Sequence, residues 1–294
     1  MSNGAENEGA APFEIIRPRG RRLPVVLSSP HSGRAYPPDF VADSRLDPLT
    51  LRRSEDCFVD ELFAGAVALG APMVRAHFPR AYVDPNREPL ELDPSMFVDP
   101  LPSGANVRSH RVRGGLGVIA RVVADGAEIY RRKLRFAEAE ARLGACYRPY
   151  HAALAGLLDE TRSLFGFVIL IDCHSMPSVG GPIDTDSGER RVDFVIGDRH
   201  GASCDPRFTS AARAVLEQRG YVVRRNVPYA GGFTTEFYGA PEAGVHALQI
   251  EINRALYMDE ARFQRTEGLA KVAAEMVGLV RALAVARPGA LAAE

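Results

Sequence analysis

Phe167 to Ile171 form an unbroken apolar run, Phe-Val-Ile-Leu-Ile, that ends abruptly in Asp172-Cys173-His174-Ser175-Met176-Pro177. Such a run has no polar face to show to water. It predicts a strand covered on both sides, as in a sheet that carries helices on each face. In open α/β sheets ligands bind outside the carboxyl ends of the strands. A histidine at this exit is therefore the first candidate functional side chain. A histidine that merely caps a strand end would look the same locally, so partners elsewhere in the chain decide between the two.

The rest of the chain repeats the theme. Leu23 to Ser28 predicts a short strand, broken by Pro30 and emptying into His31-Ser32-Gly33. A helix is expected to start near Ser54 as N-cap, with Glu55 and Asp56 in a first turn whose dipole they complement. Phe58, Leu62, Ala66 and Leu69 recur there at helical spacing, and Gly70 stops it. Pro72 to Ala76 predicts another strand, and Val118 to Val123 a further one carrying Arg121. Leu90 to Ser109 is rich in Pro, Asp and Ser, a long irregular loop of a kind that compact domains keep for function. Ala127 to about Leu164 is expected to be helical, kinked or split by Pro149 near Arg148. Val192 to Ile196, Tyr221 to Arg224 and His246 to Ile252 predict strands. Phe208 to Arg219 predicts a helix, and Asp259 to Ala286 a long closing one. Pro228 to Phe233 is Gly-rich but lacks the GK[ST] of a phosphate loop. Glu251 stands between Ile250 and Ile252, where a charge is costly unless paired or put to use. Strands alternating with helices predict an α/β fold with a mixed, mostly parallel sheet flanked by helices. The expected organisation is a disordered tail over residues 1–13 and a single domain over residues 14–294.

Composition narrows the function. With a formal net charge of -1 the chain carries no field suited to nucleic acid or a membrane surface. No stretch approaches the ~18 consecutive apolar residues of a spanning helix, and the N-terminal segment has no apolar signal core. Cys57, Cys146, Cys173 and Cys204 show no CxxC spacing and read as reduced thiols. The expectation is a cytoplasmic protein that acts on a small molecule; the sequence leaves its oligomeric state open.

Three features suggest the chemistry. His31 and His174 each follow an apolar strand, Glu251 lies at the end of a third, and Glu55 and Asp56 open the helix after the first site. A catalytic divalent cation takes three protein ligands of His and carboxylate type and keeps a position for water. Zinc is the default for such mixed ligands. There is no HExxH or other compact motif, so spacing alone is a weak signal; order and context strengthen it.

Ser-Pro-His31-Ser-Gly, Phe78-Pro-Arg80-Ala-Tyr-Val-Asp84-Pro-Asn86-Arg87-Glu-Pro, Asp172-Cys-His174-Ser-Met-Pro and His246-Ala-Leu-Gln-Ile-Glu251-Ile-Asn-Arg254-Ala-Leu-Tyr-Met appear in that order. They resemble the N-formylglutamate amidohydrolase family, from about Pro24 to Glu260. The order is also similar to that of zinc carboxypeptidases and aspartoacylases: a first His with a carboxylate, an Asn-Arg pair, a second His, then a catalytic Glu. The resemblance implies a phosphorylase/hydrolase-like, zinc-carboxypeptidase-like α/β fold. It implies metal-dependent hydrolysis of N-formyl-L-glutamate to formate and glutamate, in histidine degradation. Carried over by motif, His31 and His174 become metal ligands and Glu251 the general base. Asn86 and Arg87 become the grip on a substrate carboxylate, with Arg80, Arg121 and Arg254 as further candidates, each of which could instead be held in an ion pair. One position departs from the carboxypeptidase pattern. Its ligand Glu, three residues after the first His, is replaced here by Arg34. The third ligand has to come from elsewhere, Asp56 first and Glu55 second. The expected cofactor is one divalent metal, zinc or cobalt.

Rival readings use the same residues. A cysteine hydrolase through Cys173 and His174 fails because neighbours on an extended strand point to opposite faces. A serine hydrolase through Ser32 or Ser175 lacks the G-x-S-x-G elbow. His151 lies inside a predicted helix and reads as structural. The alternatives that remain are a deacylase of another N-acyl amino acid, aspartoacylase-like, and a non-catalytic binder of an acidic metabolite.

Overall fold

The apolar run at Phe167 lies at the centre of a seven-stranded sheet. The computed structural model describes residues 11–288 other than Arg21, Ala124 and Ile183. In chain order the strands are β1 (Phe13–Ile16), β2 (Val25–Ser29), β3 (Met73–Ala76), β4 (Val168–Met176), β5 (Phe194–Gly197), β6 (Val223–Arg225) and β7 (Val245–Asn253). Across the sheet they run β1-β3-β2-β4-β7-β5-β6. β3, β2, β4 and β7 are parallel; β1 is antiparallel to β3, and β5, with β6 beside it, is antiparallel to β7. This is the mixed, mostly parallel α/β sheet that the sequence predicts.

Every residue of β4 is buried, and alternate residues serve different cores. Ile169, Ile171 and Cys173 pack with helices α1 (Val59–Leu69), α3 (Pro206–Glu217) and α4 (Gly268–Val285). Val168 and Leu170 pack on the other face with α2 (Arg148–Phe165). The period of two along a strand makes this division, and it carries Asp172 and His174 away from Cys173. All four cysteines are buried and unpaired. No described helix is long and apolar enough to cross a membrane.

Several expected elements are placed differently. Ser54 caps no helix: Arg52–Ser54 form one 3-10 turn, Glu55 is extended, and α1 starts only at Val59. The side chains of Glu55 and Asp56 are bonded elsewhere, and Phe58 takes a left-handed φ of 65° to redirect the chain. Val118 to Val123 is no strand, only a bend with one bridge from Val122 to Glu128. Its apolar residues fill the α2-side core instead. The helical stretch begins at Phe136, because bridges at Glu128 and Leu134 tie the preceding residues to loops. Pro149 does not break it. An α-helical segment over Phe136–Arg142 passes through a π-helical turn over Leu143–Tyr147 directly into α2, so the chain is helical through the proline and its hydrogen-bond register changes just before Arg148. The closing helix starts at Gly268, because Met258–Asp259 pair with Gln264–Arg265 as a two-stranded ribbon. Phe13 is not tail but the first residue of β1, and the Pro12 carbonyl accepts from the His77 N–H. Residues 1–10 of the expected tail lie outside the described residues.

Candidate active site

The carboxyl ends of β2, β4 and β7 open onto a cavity of about 490 Å³. β2 ends at Ser29 and delivers His31 two residues later. β4 runs further than the sequence suggests, so His174 also sits on a strand, directly opposite Glu251 of the expected strand β7 in register. Asp56 comes from the extended link before α1 and is fixed by an N–H donated to the His31 carbonyl.

These elements bring three side chains to one point. Oδ2 of Asp56 lies 3.3 Å from Nδ1 of His31 and 3.0 Å from Nδ1 of His174, and the two rings are 4.7 Å apart. All three residues are buried. The far side of each ring meets a carboxylate: Nε2 of His31 is 2.7 Å from Asp84, and Nε2 of His174 is 2.8 Å from Asp172. A carboxylate there holds the ring proton on Nε2 and leaves the Nδ1 lone pair free, as in carboxylate–histidine–metal arrangements. Oδ1 of Asp56 accepts from Arg254, which also donates to the Glu55 carbonyl and to Ser175. Three lone pairs thus converge with every other polar atom of their groups already engaged. That donor set fits one divalent cation.

The electrostatics agree. Burial disfavours charge on His174, but Asp172, Asp56 and Glu251 outweigh it and raise its pKa well above the usual value. Burial likewise opposes the Asp56 anion, yet the two histidines hold its carboxyl well below the ordinary range. The site calls for positive charge between these groups. Glu251 goes the other way. Burial, with Asp56 adding to it, pushes its carboxyl up to about 7 against the pull of His174, Arg80 and Arg254.

A surrounding layer sets the orientations. The Gly232 N–H donates to Oε1 of Gln249 at 2.7 Å, which turns the Gln249 amide so that its Nε2 donates to Glu251 at 2.8 Å. In the same way the Thr234 N–H donates to Oδ1 of Asn86, and Nδ2 of Asn86 donates to Asp172 beside His174. A Cβ on Gly232 would collide with the Asn86 side chain, so the Gly-Gly loop can approach only because it lacks one. His151 bonds the Pro85 carbonyl and Tyr238, the structural part expected of it.

The expected residues divide as follows. His31, Asp56, His174 and Glu251 come together. Glu55 does not join them; Tyr36, Arg52 and Cys57 hold its carboxylate. Asn86 is in the site, where its amide is bonded to Asp172 and Thr234 and its Nδ2 lies 3.0 Å from Nε2 of His174. Arg254 is spent on Asp56. Arg80 donates to Asp84 at 2.8 Å. Arg87 gives two donors to the Leu116 and Asn86 carbonyls and keeps a third 3.8 Å from Asp84. Arg121 does not line the cavity. It pairs with Asp93 and Glu128 beside a separate groove, because the segment that carries it bends instead of forming a strand. Asp172 and Gln249 had no assigned role, although each lies two positions before a site residue and so on the same strand face. Arg111, which lines the cavity, has no comparable signal.

The family described as N-formylglutamate amidohydrolase matches residues 23–258, a span that includes every one of these side chains. The chain belongs to the N-formylglutamate amidohydrolase family. It is 31% identical over 254 residues to the N-formylglutamate deformylase of Pseudomonas putida, covering 85% of this chain and 88% of that protein. The deformylase of Pseudomonas aeruginosa PAO1 is 32% identical over 251 residues, covering 84% of this chain and 86% of its own. The crystal structure of the N-formylglutamate amidohydrolase of Ralstonia eutropha JMP134 superposes with a TM-score of 0.84 at 37% identity, covering 92% of this chain and 96% of that one. The gene product Atu2144 of Agrobacterium tumefaciens, 23% identical with a TM-score of 0.62, shares the fold. In this amidohydrolase, then, an α/β sheet of family type presents the convergent triad at its carboxyl edge.

Proposed function

We propose that this amidohydrolase cleaves the formamide of N-formyl-L-glutamate, adding water across the C–N bond to give formate and glutamate. The observation that carries the reading is the convergence of His31, Asp56 and His174 beside Glu251, in a chain of this family. The three would hold one divalent cation; imidazole and carboxylate donors suit zinc, with cobalt as a substitute. When bound, such an ion supplies Lewis acidity that polarises the amide carbonyl and acidifies water.

The chain's own groups do the rest. Glu251 takes a proton from water and passes it to the leaving nitrogen, general acid–base work worth roughly 10² to 10⁴ in rate. A pKa of about 7 for its carboxyl is near the value such a shuttle needs, and a neighbouring cation draws it lower. Gln249 engages Oε1 of Glu251 and so leaves Oε2 to handle the proton. Arg80 and Arg87 neutralise Asp84 while facing the cavity, which suits an anionic substrate. A cytoplasmic setting suits the four unpaired thiols.

Formate release from N-formylglutamate tests the reading. Exhaustive dialysis against a chelator should abolish it, and stoichiometric Zn²⁺ or Co²⁺ should restore it. Turnover that survives with no metal detectable by elemental analysis would remove the cation, and no turnover in metal-loaded protein would remove the substrate.

A further inference from the structure

We propose that Arg111 is the receptor for the second, side-chain carboxylate of the substrate, so that the cavity selects N-acyl amino acids bearing two acids. This rests on the amide-hydrolysis reading above and adds to it where the distal acid is bound.

Arg111 lies in a one-turn helix, His110–Arg113, whose first residues are held by Ser109 accepting from the Val112 N–H. Its guanidinium lines the cavity and is only 21% exposed. The nearest acid is Glu91, at 3.7 Å, too far for a hydrogen bond. Oε2 of Glu91 is buried and has no hydrogen-bond partner of its own. Arg111 itself has no hydrogen-bonded acceptor for its side chain among the described residues. A guanidinium that faces the cavity with no protein acceptor holds its five donors in a planar fork open to an entering ligand. A carboxylate entering the cavity matches that fork in charge and shape.

The other cavity arginines are less available. Arg80 is bonded to Asp84, Arg254 to Asp56, Arg199 to Glu236 and Arg53 to Asp125. Arg87 has two donors on main-chain carbonyls. Asp84 ties Arg80 and Arg87 to His31, so these two cations belong to the triad end, where the amide and the carboxylate next to it must lie. Arg111 is not bonded to Asp84; its nearest acid is Glu91, outside that cluster. Burial, with the charges of Arg111 and Arg80 adding to it, lowers the pKa of Arg87 to about 10, while Asp84 opposes them. A second anion at Arg111 relieves that crowding.

The test compares kcat/KM for N-formyl-L-glutamate with that for N-formyl-L-glutamine, its neutral isostere, in wild type, Arg111→Leu and Arg111→Lys. Because the ratio is taken within one preparation, any unfolded fraction cancels. Wild type should prefer the acid by roughly 10² to 10³, the loss expected when one partner of a buried, hydrogen-bonded charge pair is missing. Arg111→Leu should reduce the preference to within about tenfold, and Arg111→Lys should give an intermediate value, because the charge stays and the fork is lost. An unchanged preference in Arg111→Leu overturns the assignment, as does a wild type that cleaves both substrates equally well; in either case amide hydrolysis itself stands. A wild type that cleaves neither substrate brings down the functional reading and this inference together.

Discussion

Asp56 has both oxygens committed, one to Arg254 and one facing two histidines, while Glu251, across from His174, has one oxygen on Gln249 and the other free to exchange a proton. The two acids are alike in chemistry and are separated by their surroundings: positive neighbours keep the first ionised, and burial lifts the second towards neutrality. Replacing Glu251 by Gln keeps the shape and the bond to Gln249 but removes the proton acceptor. Metal content by elemental analysis should stay near one per chain, while kcat for formate release falls by about 10² to 10⁴. Turnover within a few-fold of wild type would rule out a base at this position. Much of this was legible residue by residue. A histidine after each of two apolar strands, an acid between two isoleucines and an acid pair near the first histidine are local patterns; the first and third point to the triad and the second to the acid beside it. What Asn86 does was not legible. Its carbonyl meets the N–H of Thr234, 148 positions further on, and no spacing rule reaches that far.

Elements decide which of these side chains can meet. Pairing β4 with β7 in register puts His174 opposite Glu251 and Asp172 opposite Gln249; a slip of one residue would turn each pair to the other face of the sheet. The run at Phe167 announced β4, and alternation predicted that Cys173 and His174 would face opposite ways. Element ends were harder to read. The apolar run at Val118 to Val123 looks like a strand but is core-filling loop, since burial without a hydrogen-bonded neighbour gives the same local pattern. The helix expected from Ser54 starts only at Val59 and stops at Gly70 as predicted, because Asp56 is needed in contacts with His174 and Arg254 far along the chain, which propensity does not register. The Gly-Gly loop after Pro228 is the element most exposed to a small change. Gly232→Ala puts a methyl group into the Asn86 side chain, and overpacking of this kind costs about 1 to 3 kcal/mol. Because Gly232 also orients Gln249, kcat should fall by more than the lost folded fraction explains, with KM nearly constant. A kcat that follows folded fraction alone, measured by thermal melts beside steady-state kinetics, would mean that the loop supports the fold but not the base.

At the scale of the whole molecule, the sheet has one buried histidine well away from the cavity that works against it in acid. His246, on β7, is 2% exposed and packs against Phe167 and Phe208. Its Nδ1 accepts from the Asp205 N–H, and its Nε2 is buried without a partner. Burial lowers its pKa, more than Asp205 raises it. The sign follows from linkage. An unfolded chain protonates this ring near its reference pKa of about 6.5, whereas the folded chain resists until lower pH. Below about 6.5 the unfolded state therefore binds more protons, and stability falls as pH falls through that window. His151 has a pKa lowered by burial as well and adds to the trend. Replacing His246 by Gln removes the titration while offering an amide of similar reach. Glu251 and His174, whose pKa values are raised, work the other way over this range, so the His246 contribution is read as a difference: measured from pH 7.5 down to 5.5, the melting temperature of His246→Gln should gain on that of wild type as pH falls. Parallel curves would mean that His246 takes up its proton as readily folded as unfolded, and that the acid sensitivity of this fold lies in other groups.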